Sequence, residues 1–134
     1  MHSTDGIGNP SKTNPTAQRG ARFATLGLSI ESSAKKKGGG RDREKVFISG
    51  TSYATPIAAG IAANVLEFAS YQLHNQLSSG EREILFAYLG MSRLFEKMSE
   101  TRSEYDYIMP WKLFNGREPS EIADNIRDVL RGMD

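Results

Sequence analysis

The sequence predicts a fold that mixes strands and helices, with a strand signal near its start and helix signals from its middle onward. Three observations carry this. Phe23 to Ile30 reads FATLGLSI, an apolar run of the length and bounding of a buried strand. Ser52 to about Tyr71 sets apolar residues at helical spacing. From Ser78 onward, cap residues stand ahead of apolar-periodic stretches, the signature of helix starts.

The chain has 134 residues, 38% hydrophobic and 25% charged, which is ordinary for a globular domain or part of one. A net charge of +1 argues against a nucleic-acid binder. There is no cysteine, and His2 and His74 are the two histidines, so no disulfide, thiolate metal site or histidine-rich site is expected, and no cofactor. The opening Met1-His2-Ser3-Thr4-Asp5 lacks a signal-peptide core, and no stretch approaches the roughly 18 apolar residues of a membrane span. An intracellular, cytoplasmic protein without membrane contact is the expectation.

Taken in order, residues 5–20 are rich in Gly, Asn, Pro and Ser and read as turns. Within the strand signal, Gly27 marks a bulge or a close backbone approach. Ser32 to Lys45 carries six basic and two acidic residues and three consecutive glycines, and is expected to be a flexible basic surface loop. Val46-Phe47-Ile48 then leads into the long helix. There Ala54, Ile57, Ala58, Ile61, Ala62, Val65, Leu66 and Ala69 form one stripe, while Ala59, Gly60 and Ala63 opposite are small and uncharged. A helix apolar all round is expected to be buried. Further on, Ser78 and Glu81 fit a capping box for a helix presenting Ile84, Leu85, Tyr88 and Leu89, with Gly90 as C-cap. Leu94, Phe95 and Met98 suggest a short helix. YDYIMPWKLF reads as extended, and a last helix from about Ser120 turns Ile122, Ile126, Val129 and Leu130 inward and ends at Gly132.

Chemistry is concentrated in Ser49-Gly50-Thr51-Ser52-Tyr53-Ala54-Thr55-Pro56-Ile57-Ala58-Ala59-Gly60. Ser52 stands where a loop becomes a helix. Helix N-termini have unpaired N–H groups and a partial positive charge of roughly half a unit. The Ser52 N–H can therefore help hold an oxyanion formed when its hydroxyl attacks a carbonyl. Gly50 and Thr51 shape the turn, and Gly50 leaves room for a substrate. The bland reading of an isolated Gly-Thr-Ser is that the serine caps the helix.

This segment resembles the nucleophile signature of subtilisin-like serine proteases: Gly-Thr-Ser, any residue, Ala, Thr or Ser, Pro, then small residues. HSTDGIGNPSKTNP, FATLGLSIES and SGTSYATPIAAGIAANVLEFA are similar, in that order, to intracellular members from filamentous fungi, and YLGMSRLFEKMS and YIMPWKLF resemble the helical tail of those proteins. The resemblance implies an α/β fold: the C-terminal portion of a subtilisin-like parallel-sheet domain over residues 1–72, followed by an α-helical extension over 73–134. It implies a serine endopeptidase with Ser52 as nucleophile, an acyl-enzyme mechanism and a polypeptide substrate.

The family's triad runs Asp, His, Ser along the chain. Here only Met1 precedes His2, and the spacing from His2 to Ser52 is too short for the family's histidine. His74 follows the nucleophile segment and reads as a helix-end residue. Asn9, in a context faintly like that of the family's oxyanion asparagine, reads as a turn residue. The chain as given is thus expected to be an inactive fragment, with an exposed apolar sheet edge and an uncovered helix where other chains or a missing N-terminal part would pack. The alternative is a non-catalytic remnant that serves as a protein-interaction module.

Overall fold

The computed structural model describes residues 1–12, 14–16, 22–35 and 43–132. Along the chain run β1 (His2–Thr4), β2 (Phe23–Leu26), β3 (Ile30–Lys35), β4 (Arg43–Ile48), α1 (Thr51–Gln72), α2 (Ser79–Phe86), α3 (Tyr88–Lys97), β5 (Ser99–Arg102), β6 (Tyr105–Ile108), α4 (Trp111–Phe114) and α5 (Pro119–Arg131). Four strands form one sheet in the order β1-β2-β6-β5. The first three are mutually parallel and β5 runs antiparallel to β6. The α/β class is therefore present, with a mixed sheet.

The strand at FATLGLSI stops at Leu26 rather than Ile30. Gly27 is the reason. Its N–H donates to the Thr4 carbonyl at 2.9 Å, and its own carbonyl accepts from the Gly50 N–H at 2.7 Å. A Cβ there would lie 2.5 Å from Ser3 Cβ, 3.0 Å from the Gly50 oxygen and 3.1 Å from Ala54 Cβ. Only a glycine permits this close approach. Ser29, at φ 54°, then reverses the chain into β3.

The free edge of β1 is not the open edge the sequence led us to expect. Asn14 accepts from the Ser3 N–H at 3.1 Å and donates to the Ser3 carbonyl at 2.8 Å. The Ser11 N–H reaches the same carbonyl. A side-chain amide here occupies the hydrogen-bonding groups that a further strand would use, a device that blunts sheet edges.

The basic loop expected at 32–45 is also corrected. Ser32–Lys35 and Arg43–Lys45 belong to the antiparallel pair β3–β4, in register from Ile30↔Ile48 to Lys35↔Arg43. Alternation explains it: Ile30, Ser32, Ala34, Val46 and Ile48 are half-buried, and the residues between them are exposed. Residues 36–42, where the glycines lie, fall outside the described residues.

Helix α1 runs 22 residues, as its periodicity suggests, but it is not buried all round. Ala54, Ala58, Val65 and Ala69 face the core, whereas Ala59, Gly60 and Ala63 are exposed. A Cβ added at Gly60 would meet nothing within 4 Å.

The segment expected to be a helical extension contains strands as well; the extended reading of YDYIMPWKLF holds for β6, whereas Trp111–Phe114 forms the short helix α4. β6 pairs with β2, and the turn between β5 and β6 is made by Ser103 and Glu104 at φ 47° and 73°. The capping box at Ser78 and Glu81 forms: Ser78 Oγ accepts from the Glu81 N–H at 3.2 Å, and Glu81 accepts from the Ser78 N–H at 2.7 Å. Gly90 is not a C-cap. It lies inside α3, where a Cβ would sit 2.1 Å from the Ile84 oxygen, so it allows α3 to fold back tightly on α2. Tyr88 and Leu89 are exposed rather than inward-facing. Helix α5 starts at Pro119 behind its own capping box of Glu118 and Glu121, and turns Ile122, Ile126 and Leu130 inward as expected. With Leu73, Leu85, Leu94, Met98, Ile108 and Leu113 they form the core. Each buried residue of this size contributes about 1.5–3 kcal/mol. This core holds the C-terminal end of α1 and leaves its N-terminal end at the sheet.

Candidate active site

Ser52 is the second residue of α1, and its side chain is exposed. It does not cap the helix. The N-cap is Gly50, at φ 150° and ψ 161°, which has no side chain to donate or accept. At that φ a residue with a Cβ is strained. The Gly50 carbonyl accepts from the Tyr53 N–H at 3.1 Å and from the Ala54 N–H at 3.4 Å. The N–H groups of Thr51 and Ser52 are the first two of the helix and have no intrahelical partner. They point out of the positive end of a long helix.

The sheet positions this corner. Because Gly50 bonds to Gly27, the corner sits just past the carboxyl end of β2, beside the end of β1. In sheets with parallel strands, that end is where ligands bind. Ser49 Oγ accepts from the Ser29 N–H at 2.9 Å and ties the start of β3 to the same corner. Thr51 is half-buried, and its carbonyl accepts from Thr55 Oγ1 at 3.2 Å. The Tyr53 ring lies over Gly50, 3.7 Å from where a Cβ would be. The three expected site residues, Gly50, Thr51 and Ser52, are therefore together at one exposed helix start. Gly27 is the structural partner of that site, signalled in the sequence as a glycine inside a strand run.

Neither histidine joins them. His2 is buried at the head of β1 and packs against Tyr105, ring centroids 4.8 Å apart and planes tilted by 59°. It pairs with Ala24, so it lies roughly 10 Å along the strand from Gly27. His74 lies beyond the far end of α1, roughly 30 Å from Ser52 at the helical rise. Its carbonyl accepts from Arg82 Nη2 at 2.7 Å. Asn9 is a turn residue, donating its backbone and side-chain N–H groups to Asp5, each at 2.8 Å. Those bonds, the Asn9 side chain first, hold the Asp5 carboxyl below the usual carboxylate range. No hydrogen bond among the described residues reaches the Ser52 hydroxyl. No group of three or more His, Cys, Asp or Glu among them is placed to hold a metal ion. No described helix is long and apolar enough to cross a membrane.

A recess of about 220 Å³ opens between the end of α1 and α2, lined by Leu73, His74, Leu77, Arg82 and Phe86 among others. It begins at Ala69, about 25 Å along α1 from Ser52, and does not serve that corner. Comparison with protein-family models, with curated proteins and with solved structures gives no match.

Proposed function

We propose that the chain carries the nucleophile segment of a subtilisin-like serine endopeptidase, with Ser52 attacking the scissile carbonyl and the Ser52 N–H receiving the oxyanion. One observation supports this above the rest. An exposed serine stands at the uncapped start of a long helix, past the carboxyl end of parallel strands, on a turn that only glycine at position 50 adopts without strain. A serine that merely capped the helix would stand at the N-cap, and Gly50 stands there instead. A serine hydroxyl needs a base to become a nucleophile. The positions of His2 and His74 leave that role to polypeptide outside these 134 residues.

A fluorophosphonate probe, which labels activated serines, tests this. The 134-residue chain alone should remain unlabelled. An upstream-extended chain that supplies the acid and the histidine should be labelled at Ser52, and Ser52→Ala should abolish the labelling. Labelling of the short chain would show that a base lies within it and overturn the assignment of that role elsewhere. Failure of the extended chain to react would favour the second reading, a non-catalytic interaction module, which the separation of both histidines from Ser52 also suits.

A further inference from the structure

Among the described residues, the β3–β4 hairpin pairs only with itself. No third strand joins either edge among the described residues, so both outer edges present unpaired backbone groups. A two-stranded ribbon is marginally stable in water, and an open edge accepts an added strand. One face of this ribbon carries Glu31, Ser33 and Lys35 from β3 opposite Phe47, Lys45 and Arg43 from β4. All six are exposed, and Phe47 is 69% exposed. Lys45 pairs with Glu31 at 2.9 Å. Lys35 and Arg43 stand directly across from each other in the ladder. Like charges in that position repel and weaken the hairpin. No ion pair among the described residues relieves them; Arg43 Nη1 instead donates to Ser33 Oγ at 3.1 Å, which holds the guanidinium on this face.

We propose that the outer edge of β4 docks an extended acidic segment of another polypeptide. The segment pairs its backbone with β4 and sets side chains beside Arg43, Lys45 and Phe47, which alternate along that strand. Its required pattern follows from that spacing: two carboxylates two residues apart, beside Arg43 and Lys45, and an apolar side chain two residues further, beside Phe47. Strand addition supplies the affinity and alternate side chains the specificity. The cross-strand repulsion of Lys35 and Arg43 is relieved when a carboxylate lies over them. This surface is separate from the Ser52 hydroxyl and does not depend on its chemistry.

The test is fluorescence anisotropy on the 134-residue chain. The probe is a labelled synthetic peptide of alternating threonine and glutamate that ends in a leucine at the apolar position. It should bind, and more weakly as salt is added. Arg43→Glu should weaken it about tenfold or more, the effect of a reversed charge at an interface. The same substitution places opposite charges across the ladder from Lys35, so amide exchange in the hairpin should slow while binding falls. A peptide N-methylated at alternate amides should lose binding, and Ser52→Ala should leave it unchanged. Four results would overturn the proposal: no binding by the acidic peptide, equal binding by a lysine counterpart, binding indifferent to N-methylation, or loss of binding in Ser52→Ala, which would place the peptide at the helix start instead. Preference for a single-stranded oligonucleotide over the peptide would overturn it too.

Discussion

Two glycines on either side of α1 predict opposite responses to the same substitution. Gly27→Ala places a methyl 2.5 Å from Ser3 Cβ, 3.0 Å from the Gly50 oxygen and 3.1 Å from Ala54 Cβ. Carbon atoms prefer roughly 3.5–4.0 Å, so about 1 Å must be found. Ser3 and Ala54 are fully buried, and Gly50 is tied to Gly27 itself, so the neighbours cannot yield cheaply. Overpacking of this kind costs about 1–3 kcal/mol. Restricting the unfolded chain returns about 0.4–1 kcal/mol, which leaves a net loss of about 1–2 kcal/mol. Gly60→Ala meets nothing within 4 Å and lies in the interior of a 22-residue helix. The alanine should stabilise by about 0.5–1 kcal/mol through helix propensity alone. For a chain of this size 1 kcal/mol moves the melting temperature by about 3–5 °C. Thermal unfolding followed by circular dichroism should therefore show Gly27→Ala several degrees below the parent and Gly60→Ala a few degrees above it. If Gly27→Ala melts with the parent, the contact of β1, β2 and the Ser52 turn is wrong. If Gly60→Ala is destabilising, something covers the outer face of α1 in solution, and repeating the scan at several protein concentrations identifies a second copy.

Two further outcomes follow from single groups. Glu81 is held below the ordinary glutamate value of 4.5, first by the Ser78 backbone N–H and then by Arg131, whose Nε lies 2.9 Å away. A carboxyl depressed in the folded state adds stability that is complete above the unfolded value and is lost as pH falls through the folded one. The melting temperature should accordingly decline below pH 4.5, and less steeply in Glu81→Gln, which keeps the acceptor of the capping box; identical acid limbs would contradict the assignment. Glu104, at φ 73°, holds a left-handed conformation that costs a non-glycine residue about 1 kcal/mol. Glu104→Gly should raise the melting temperature by a few degrees, and a decrease would mean that the β5–β6 turn has another geometry.

Much of the local structure is legible in the sequence because it rests on neighbours in sequence. The capping box needs only Ser78 and Glu81, and the inward stripe of α5 only the spacing of Ile122, Ile126 and Leu130. The helix start at Ser52 is legible for the same reason, since Gly50, Thr51 and Pro56 constrain a few residues. What was missed depends on distant partners or on absent signals. The β5–β6 hairpin turns on Ser103 and Glu104, in place of the Asn-Gly or Asp-Gly that the geometry favours, so no turn residue announces it. Its position in the sheet comes from β6 pairing with Phe23 and Ala24, more than 80 residues away. The basic composition of 32–45 concealed a two-residue alternation that becomes informative only when both strands are aligned.

Helix α1 joins the sequence problem to the functional one. Its composition suits burial on every side, yet Ala59, Gly60 and Ala63 face outward, while Ala54 and Ala58 pack toward the sheet and core. Small residues on a surface gain nothing there from being small; alanine is a good helix former, but glycine at position 60 carries a propensity cost that no contact here offsets. A related question arises at the helix start, where Gly50 ties the corner to Gly27 but also keeps the space around the Ser52 hydroxyl open, and where the first two amides have no partner within the helix. Both features become intelligible if something approaches from outside: a carbonyl oxygen at the amides of Thr51 and Ser52, and a closely packed surface along Ala59, Gly60 and Ala63. The cost at Gly60 and the open helix start at Gly50 therefore belong to one explanation, and the sign of the Gly60→Ala effect in the chain alone, set against its sign in the upstream-extended chain, measures how much of it is true.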